Sequence, residues 1–180
     1  MNRMWAPWRK TYLRSSSSKR SGCIFCSLLK DKKDKKNLVL LRMNHYAVIL
    51  NRYPYNNGHL MIVPNRHIAC LSQMNDLEKT EFFEVLEAAQ NALQKAMRPQ
   101  GFNLGMNIAD VAGAGIPGHL HWHIVPRWKG DVNFMPVVAG TKVISESLDS
   151  AYEVLRSVLC GKGQRASGLQ KKLTRKIRTK

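Results

Sequence analysis

The stretch His119-Leu120-His121-Trp122-His123-Ile124-Val125 alternates three histidines with apolar residues. Because side chains in a β-strand switch faces at every residue, the pattern predicts a strand with the imidazoles on one face and Leu120, Trp122 and Ile124 on the other. A neutral imidazole serves as nucleophile, proton carrier or metal ligand near pH 7. The alternative, a histidine-rich surface strand or a tag remnant, fits less well because the run is internal and interleaved with apolar residues. We therefore expect a functional site here.

The segments on either side of the histidine run support this interpretation. Residues 110–118 are rich in Gly and Ala, which is typical of a loop whose backbone comes close to a ligand. Pro126 ends the strand, and Arg127 and Lys129 supply cations that could steer an anionic ligand, although exposed cations commonly do nothing specific. The run and its flanks together predict a cleft lined by imidazoles and main-chain amides.

The pattern of residues 119–125 resembles the signature of the histidine triad (HIT) superfamily of nucleotide hydrolases and transferases. Residues 51–64, Asn51-Arg52-Tyr53-Pro54-Tyr55-Asn56-Asn57-Gly58-His59-Leu60-Met61-Ile62-Val63-Pro64, are similar to the first nucleotide-binding hairpin of that family. The resemblance covers about residues 20–128. Outside it, Trp5-Ala6-Pro7-Trp8-Arg9 and Asn133-Phe134-Met135-Pro136-Val137 resemble the bacterial branch that includes diadenosine tetraphosphate phosphorylases.

Length and charge limit the class of protein. A chain of 180 residues suits one domain with a sizeable core. The formal net charge of +17 indicates anionic partners such as nucleotides, nucleic acid or acidic lipid. No apolar run is long enough to span a bilayer, and the N-terminus lacks the apolar segment of a signal peptide. We therefore expect a cytoplasmic protein that does not associate with a membrane.

The composition divides the chain into three parts. Residues 1–21 are expected to form an N-terminal arm, and the resemblance implies one HIT-like domain over residues 22–160. Residues 161–180 carry many Lys and Arg and neither Asp nor Glu, which predicts a disordered basic tail. Such a tail either is solvated and functionless or makes non-specific contact with nucleic acid.

Hydrophobic periodicity predicts the secondary structure of the domain. A helix from about Leu77 to Met97, capped by Asp76, has an apolar stripe, and Glu78, Glu81, Glu84 and Glu87 mark its wet face or flank. The remaining elements are strands at 37–41, 46–50, 59–63, 102–108 and 119–126, and a helix at 146–159. The sum is an α+β domain with an antiparallel sheet and helices packed on one face.

The sequence Cys23-Ile24-Phe25-Cys26 spaces two thiols so that they can hold one zinc ion. In zinc-bearing relatives, the resemblance supplies two further ligands, which here are His67 and His119. A closed site of four protein ligands would be a structural Zn²⁺ site. The alternatives are a redox pair, a disulfide or ordinary core cysteines.

The resemblance also implies the chemistry. The central histidine, His121, is the expected nucleophile, which attacks the α-phosphorus of a nucleotide and forms a covalent nucleotidyl-histidine. His123 is expected to donate to the phosphate or to the bridging oxygen. If zinc is absent, His119 is left to orient the nucleophile or its phosphate.

Five further residues are expected to contact the substrate. By resemblance, Asn51 contacts the ribose and Asn107 faces the α-phosphate, while Gly113 and Gly115 bring backbone N–H groups to the phosphates. His59 either forms a hydrogen bond near the leaving group, or supports the triad, or is a structural histidine.

The function that these residues favour is transfer or hydrolysis on dinucleoside polyphosphates. The specific expectation is a diadenosine tetraphosphate phosphorylase (ATP adenylyltransferase), in which inorganic phosphate takes the nucleotidyl group and ADP and ATP are formed. The nucleotide base would occupy an apolar pocket near Phe25, Leu28 and Ile49. The alternatives are hydrolysis of dinucleotides or phosphoramidates by water, and a nucleotide- or nucleic-acid-binding module with vestigial catalysis. Family resemblance alone predicts a homodimer.

Overall fold

The computed structural model describes residues 22–131 and 143–161 of the chain. The N-terminal arm, the Asn133–Val137 stretch and all of the basic tail after Gly161 lie outside the described residues. The expectations for these three segments therefore stay predictions.

The described residues form a five-stranded antiparallel sheet with helices. The helices are α1 (Ile24–Lys30), α2 (Asp34–Asn37), α3 (Asp76–Met97) and α4 (Leu148–Cys160), with a 3₁₀ turn at Leu71–Gln73. The strands are β1 (Val39–Arg42), β2 (Tyr46–Leu50), β3 (Leu60–Pro64), β4 (Gly101–Gly105) and β5 (Trp122–Arg127). This architecture confirms the predicted α+β class.

The order of strands in the sheet is β1-β2-β3-β5-β4, and every neighbouring pair is antiparallel. Among the described strands, β5 is the last in sequence, yet it lies between β3 and β4. In this register, His123 is opposite Met61 on one side and Gly105 on the other. The topology brings the 51–64 hairpin beside the histidine run, although about 60 residues separate them in sequence.

The histidine strand begins later than predicted. β5 starts at Trp122, so His119 and His121 precede the regular ladder instead of lying within it. The reason is that the backbone here pairs elsewhere: Leu120 N–H donates to the carbonyl oxygen of Ile68, beyond the end of β3, at 2.7 Å. The alternation nevertheless persists, because Trp122 packs on Phe82 of α3, with ring centroids 4.5 Å apart, on the side away from His121.

Two predictions about α3 were wrong. The N-cap is Asn75 and not Asp76: the Asn75 side chain accepts a hydrogen bond from Glu78 N–H, and the Glu78 carboxylate accepts one from Asn75 N–H. Glu78 and Glu81 are buried and do not form a wet face. Arg66 and His45 from the sheet side bind these two carboxylates and satisfy them in the interior.

The core lies between the sheet and the helices α3 and α4. On α4, the buried face consists of Ala151, Tyr152, Leu155 and Leu159, as the periodicity predicts. The Tyr152 hydroxyl donates to the Val39 carbonyl of β1 at 3.1 Å, which attaches α4 to the edge of the sheet. In the part of the chain that the structure describes, no helix combines the length and the apolar content that crossing a bilayer requires.

Gly58 brings the 51–64 hairpin close to α3. It has φ of +69°, and a Cβ added there would lie 2.5 Å from the Sδ of Met97. Only glycine meets both conditions without strain. The turn places the next residue, His59, directly before β3 with its side chain completely buried.

Candidate active site and metal-binding cluster

His121 is held as a neutral imidazole with one nitrogen free for reaction. It is 5% exposed, and its Nδ1 lies 2.9 Å from the carbonyl oxygen of His119. Because a carbonyl only accepts, Nδ1 must carry the proton, and the lone pair is then on Nε2. This tautomer is the one that a nucleophilic histidine requires.

The neighbours of His123 favour the opposite tautomer, with the proton on Nε2. Tyr55 N–H donates to His59 Nδ1 at 3.0 Å, so in the neutral His59 ring the proton is on Nε2. That Nε2–H donates to Nδ1 of His123 at 2.9 Å. The proton of neutral His123 is therefore on Nε2, and His123 is a hydrogen-bond donor beside a nucleophilic acceptor, since its ring centroid is 5.0 Å from that of His121.

Tyr55 covers the His59–His123 pair. Its ring centroid is 4.7 Å from that of His59 and 5.8 Å from that of His123. The tyrosine is 48% exposed, so it stands between the paired imidazoles and solvent. Tyr55 lies within the stretch that resembles the family hairpin, but its residue type alone gives no signal for this role.

Burial keeps the catalytic candidates neutral. Desolvation lowers the pKa of His121 below its usual range, against the opposing hydrogen bond to His119. Desolvation, followed by the repulsion that a second protonated ring would meet from His121, lowers the pKa of His123 to about 4. The pKa of His119 is also lowered, mainly by burial. All three imidazoles are therefore uncharged at pH 7.

Asn51 lies next to this network. Its Nδ2 donates to His59 Nδ1 at 3.3 Å, and its Oδ1 accepts from Tyr53 N–H at 2.9 Å. Asn51, the residue predicted to bind the ribose, and the Tyr55 amide thus both donate to the same nitrogen of His59. An amide has a second N–H and a second lone pair, so these two bonds leave hydrogen-bonding capacity for a ribose hydroxyl.

Asn107, Gly113 and Gly115 lie in the loop that leads from β4 to the histidine run. Asn107 Nδ2 is 3.4 Å from the carbonyl oxygen of Gly113. Gly113 has a φ of +87°, which favours glycine, and its N–H donates to Asp110. The loop is a compact turn, and its last residue, Gly118, leads directly into His119.

Four side chains form a cluster that could bind a metal ion: Cys23, Cys26, His67 and His119. Their ligand atoms all lie within 4.8 Å of one another. Nδ1 of His119 is 3.3 Å from Cys23 Sγ and 3.6 Å from Cys26 Sγ, and Nδ1 of His67 is 3.4 Å from Cys26 Sγ. Zn–S and Zn–N bonds of about 2.3 and 2.1 Å give tetrahedral edges of about 3.5 Å, so the spacing fits this ion.

The hydrogen bonds of His119 agree with a ligand role. Its Nε2–H donates to the Pro64 carbonyl at 2.9 Å, which leaves the lone pair on Nδ1, the atom nearest the thiols. Burial, followed by the neighbouring Cys23, raises the pKa of Cys26. A divalent cation opposes this effect because it favours the thiolate.

An ion pair between the exposed Arg66 and the buried Glu78 holds the segment that carries His67. Arg66 donates to Glu78 through Nε at 2.7 Å and through Nη2 at 2.8 Å, and Nη2 also donates to the Gln73 carbonyl. The Arg66 guanidinium in turn lowers the pKa of Glu78. The sequence offered no signal for this pair, because Glu78 fits a solvent-facing helical pattern.

Other expected contacts differ in the structure. Of the three residues expected to form the base pocket, Phe25 and Ile49 are buried in the core and present no open wall, whereas Leu28 is partly exposed. Arg127 forms an ion pair with Asp131 and donates to Asn103 Oδ1. Its guanidinium lowers the pKa of Asp131 to about 2. Arg127 is therefore engaged in an ion pair that stabilises the turn after β5.

Comparison with known proteins identifies the class to which this fold and site belong. The HIT domain family model matches residues 32–130, more than half of the chain. The AP-4-A phosphorylase of Mycobacterium tuberculosis is 37% identical over 161 residues, which cover 86% of this chain and 83% of that protein. The chain therefore belongs to the HIT domain family.

Two further matches are a tetraphosphatase found by sequence and a zinc-bound protein found by structure. The asymmetrical bis(5'-nucleosyl)-tetraphosphatase of Schizosaccharomyces pombe is 30% identical over 93 residues, 52% of this chain and 50% of that protein. The crystal structure of a Zn-bound histidine triad family protein from Mycobacterium smegmatis matches with a TM-score of 0.61. It covers 81% of this chain and 95% of its own, at 21% identity, and supports the fold.

Proposed function

We propose that this protein cleaves dinucleoside polyphosphates by transferring a nucleotidyl group first to His121 and then to inorganic phosphate. The observation that carries the proposal is the pairing of opposite tautomers, with a lone pair on His121 Nε2 next to an N–H on His123 Nε2. The 37% identity to an AP-4-A phosphorylase supports this substrate class.

In the first step, the lone pair of His121 Nε2 attacks the α-phosphorus, and the bond from that phosphorus to the bridging oxygen breaks. The electron pair leaves with the nucleoside polyphosphate, which needs no added proton because it is a stable anion. The positive charge that develops on the His121 ring is shared with the His119 carbonyl through Nδ1–H. His123 Nε2–H donates to the bridging oxygen as its charge grows.

In the second step, an oxygen of inorganic phosphate attacks the same phosphorus, and the P–N bond breaks with its electrons returning to His121 Nε2. Diadenosine tetraphosphate then gives ATP in the first step and ADP in the second. Splitting one displacement into two lets the same imidazole serve as nucleophile and as leaving group.

The substrate contacts of this proposal follow the sequence expectations, except at Gly113. Asn51 binds the ribose, Asn107 and the loop amide of Gly115 bind the phosphates, and His59 acts through His123. The N–H of Gly113 is already bonded to the Asp110 carbonyl at 2.8 Å, so this glycine shapes the loop instead of donating to a phosphate. Asn51 fits this role because it adjoins His59, and Asn107 fits because it adjoins Gly113.

We also propose that Cys23, Cys26, His67 and His119 hold Zn²⁺. Four protein ligands close a tetrahedral site, and such an ion supplies folding energy instead of a reactive position. The interatomic distances and the His119 tautomer support this assignment.

A homodimer is the proposed assembly. β4 forms one edge of the described sheet, and Asn103, Leu104 and Gly105 on it are exposed. An unpaired edge with an outward leucine favours pairing with a second copy. Light scattering on the wild type and on Leu104→Lys tests this: a dimer that dissociates in the variant supports the assembly, and a monomeric wild type contradicts it.

Product analysis tests the reaction. Diadenosine tetraphosphate is incubated with the protein, with and without inorganic phosphate, and the nucleotides are separated. The proposal predicts ADP and ATP only when phosphate is present. AMP and ATP in both samples would identify asymmetric hydrolysis and contradict phosphate as the acceptor, and no cleavage would contradict the enzymatic function.

A further inference from the structure

Phe25 connects the metal-binding cluster with the proposed nucleophile. It lies between Cys23 and Cys26 in sequence and is 2% exposed. Its ring centroid is 5.4 Å from that of His119, at 72°, and 5.1 Å from that of His121, at 52°. One buried ring therefore contacts both a predicted ligand and the predicted nucleophile.

We propose that Phe25 is a positioning residue through which metal binding at the Cys23–Cys26–His67–His119 cluster orients His121. The inference rests on the proposed function, since it takes His121 to be the nucleophile. It assigns the cluster a second role beyond folding: the site that closes on a metal ion also fixes the ring that reacts.

The first link between the cluster and His121 runs through the main chain. The carbonyl of His119 accepts the hydrogen bond from His121 Nδ1 at 2.9 Å, and the side chain of the same His119 offers Nδ1 to the thiols. At its other nitrogen, the His119 ring is held by the Pro64 carbonyl. A metal bond to Nδ1 therefore fixes His119 from both sides, and with it the acceptor that sets the His121 tautomer.

The second link runs through packing. α1 has only seven residues, and its N-cap, Cys23, makes no side-chain capping bond. A helix this short is unstable by itself, so its position depends on its tertiary contacts. Because both thiols flank Phe25, a metal bond to them fixes the Phe25 ring against the His121 ring.

Orientation of a nucleophile contributes to the transition state more than to substrate binding. Loosening this coupling is therefore expected to lower kcat and leave KM nearly unchanged. If Phe25 only stabilised the fold, its substitution would change neither kcat nor KM of the protein that remains folded.

The test compares Phe25→Leu with Ile24→Ala. Ile24 is the matched control because it lies between the same two cysteines but is 40% exposed. Zinc content, kcat and KM are measured on each protein, and the tautomer of His121 is measured by ¹⁵N–¹H correlation spectroscopy of the imidazole. If Phe25→Leu does not fold, Phe25→Met replaces it, since methionine keeps the apolar volume without the ring.

The expected result is that Phe25→Leu keeps one equivalent of zinc and the wild-type KM but loses at least tenfold in kcat. Its His121 signal should also depart from a single Nδ1–H tautomer, as should that of wild-type protein freed of zinc. Ile24→Ala should match the wild type in all four measurements.

Wild-type kcat and an unchanged His121 signal in zinc-loaded Phe25→Leu would overturn the coupling while leaving the proposed function intact. Failure of the proposed function is distinguishable, because His121→Asn would then retain full activity whatever residue 25 is.

Discussion

The Nε2 atom of His59 lies 2.9 Å from Nδ1 of His123, and the Tyr55 amide fixes which of the two donates. The proton on His123 is thereby directed to Nε2. This relationship joins the hairpin before β3 to the strand β5, and it makes a buried histidine outside the 119–123 run part of the same site.

Replacing His59 tests this relationship. His59→Phe keeps a ring of similar size but removes the donor to His123 Nδ1, so His123 can adopt either tautomer. We expect kcat for diadenosine tetraphosphate to fall by about tenfold to a hundredfold, with a smaller change in KM. His45→Asn is the control, because His45 is bonded to Glu81 and lies outside the site. Equal losses in both variants would show a general effect on stability instead.

The stability of the protein should depend on pH through His123. Its pKa is about 4 in the folded protein and about 6.5 in an unfolded chain, so the unfolded state binds the proton first as pH falls. The free energy of unfolding should therefore decrease from pH 6.5 towards pH 4, by on the order of 3 kcal/mol from this residue. Urea unfolding at pH 7 and pH 4.5 measures the effect. His123→Asn should show a shallower decrease, and an identical decrease in both proteins would refute the assignment.

Removal of a metal ligand should affect both metal content and stability. Cys26→Ser is expected to bind less than half an equivalent of zinc after purification without chelator, and to melt at a lower temperature than the wild type. Cys70→Ser is the control, because Cys70 contacts Ser72 and does not belong to the cluster. Wild-type protein, kept reduced, that carries less than about half an equivalent of zinc would argue against this metal.

The buried Glu78 should matter more for stability than the exposed ion pair on the same turn of α3. Glu78→Gln weakens the bonds to Arg66 and is expected to cost about 1–3 kcal/mol. Lys79→Ala removes the exposed pair with Asp76 and is expected to cost less than about 0.5 kcal/mol. Denaturant unfolding measures both, and equal costs would contradict the role of Arg66 and Glu78 in holding the His67 segment.

Much of this site follows from local sequence. The alternation at 119–125 predicts that three imidazoles lie apart from Trp122, and Cys23 and Cys26 are spaced for a common ligand. These features depend on residues only a few positions apart, so they can be recognised directly in the sequence.

Other features depend on contacts distant in sequence, and there the sequence predictions failed or were silent. Glu78 and Glu81 fit a solvent-facing pattern because Arg66 and His45, which bind them, arrive from another element. The start of β5 at Trp122 depends on the bond between Leu120 and Ile68. Tautomers of His59 and His123 depend on the Tyr55 amide, which no residue type encodes.

The most direct test of the central claim is detection of a nucleotidyl group on His121. The protein is mixed with diadenosine tetraphosphate without phosphate, quenched in base within milliseconds to protect the acid-labile P–N bond, digested and analysed by mass spectrometry. We predict an added adenylyl group on the peptide that contains His121, absent from His121→Asn and discharged as ADP when phosphate is added. Turnover with no adenylylated peptide, or undiminished turnover by His121→Asn, would contradict the account.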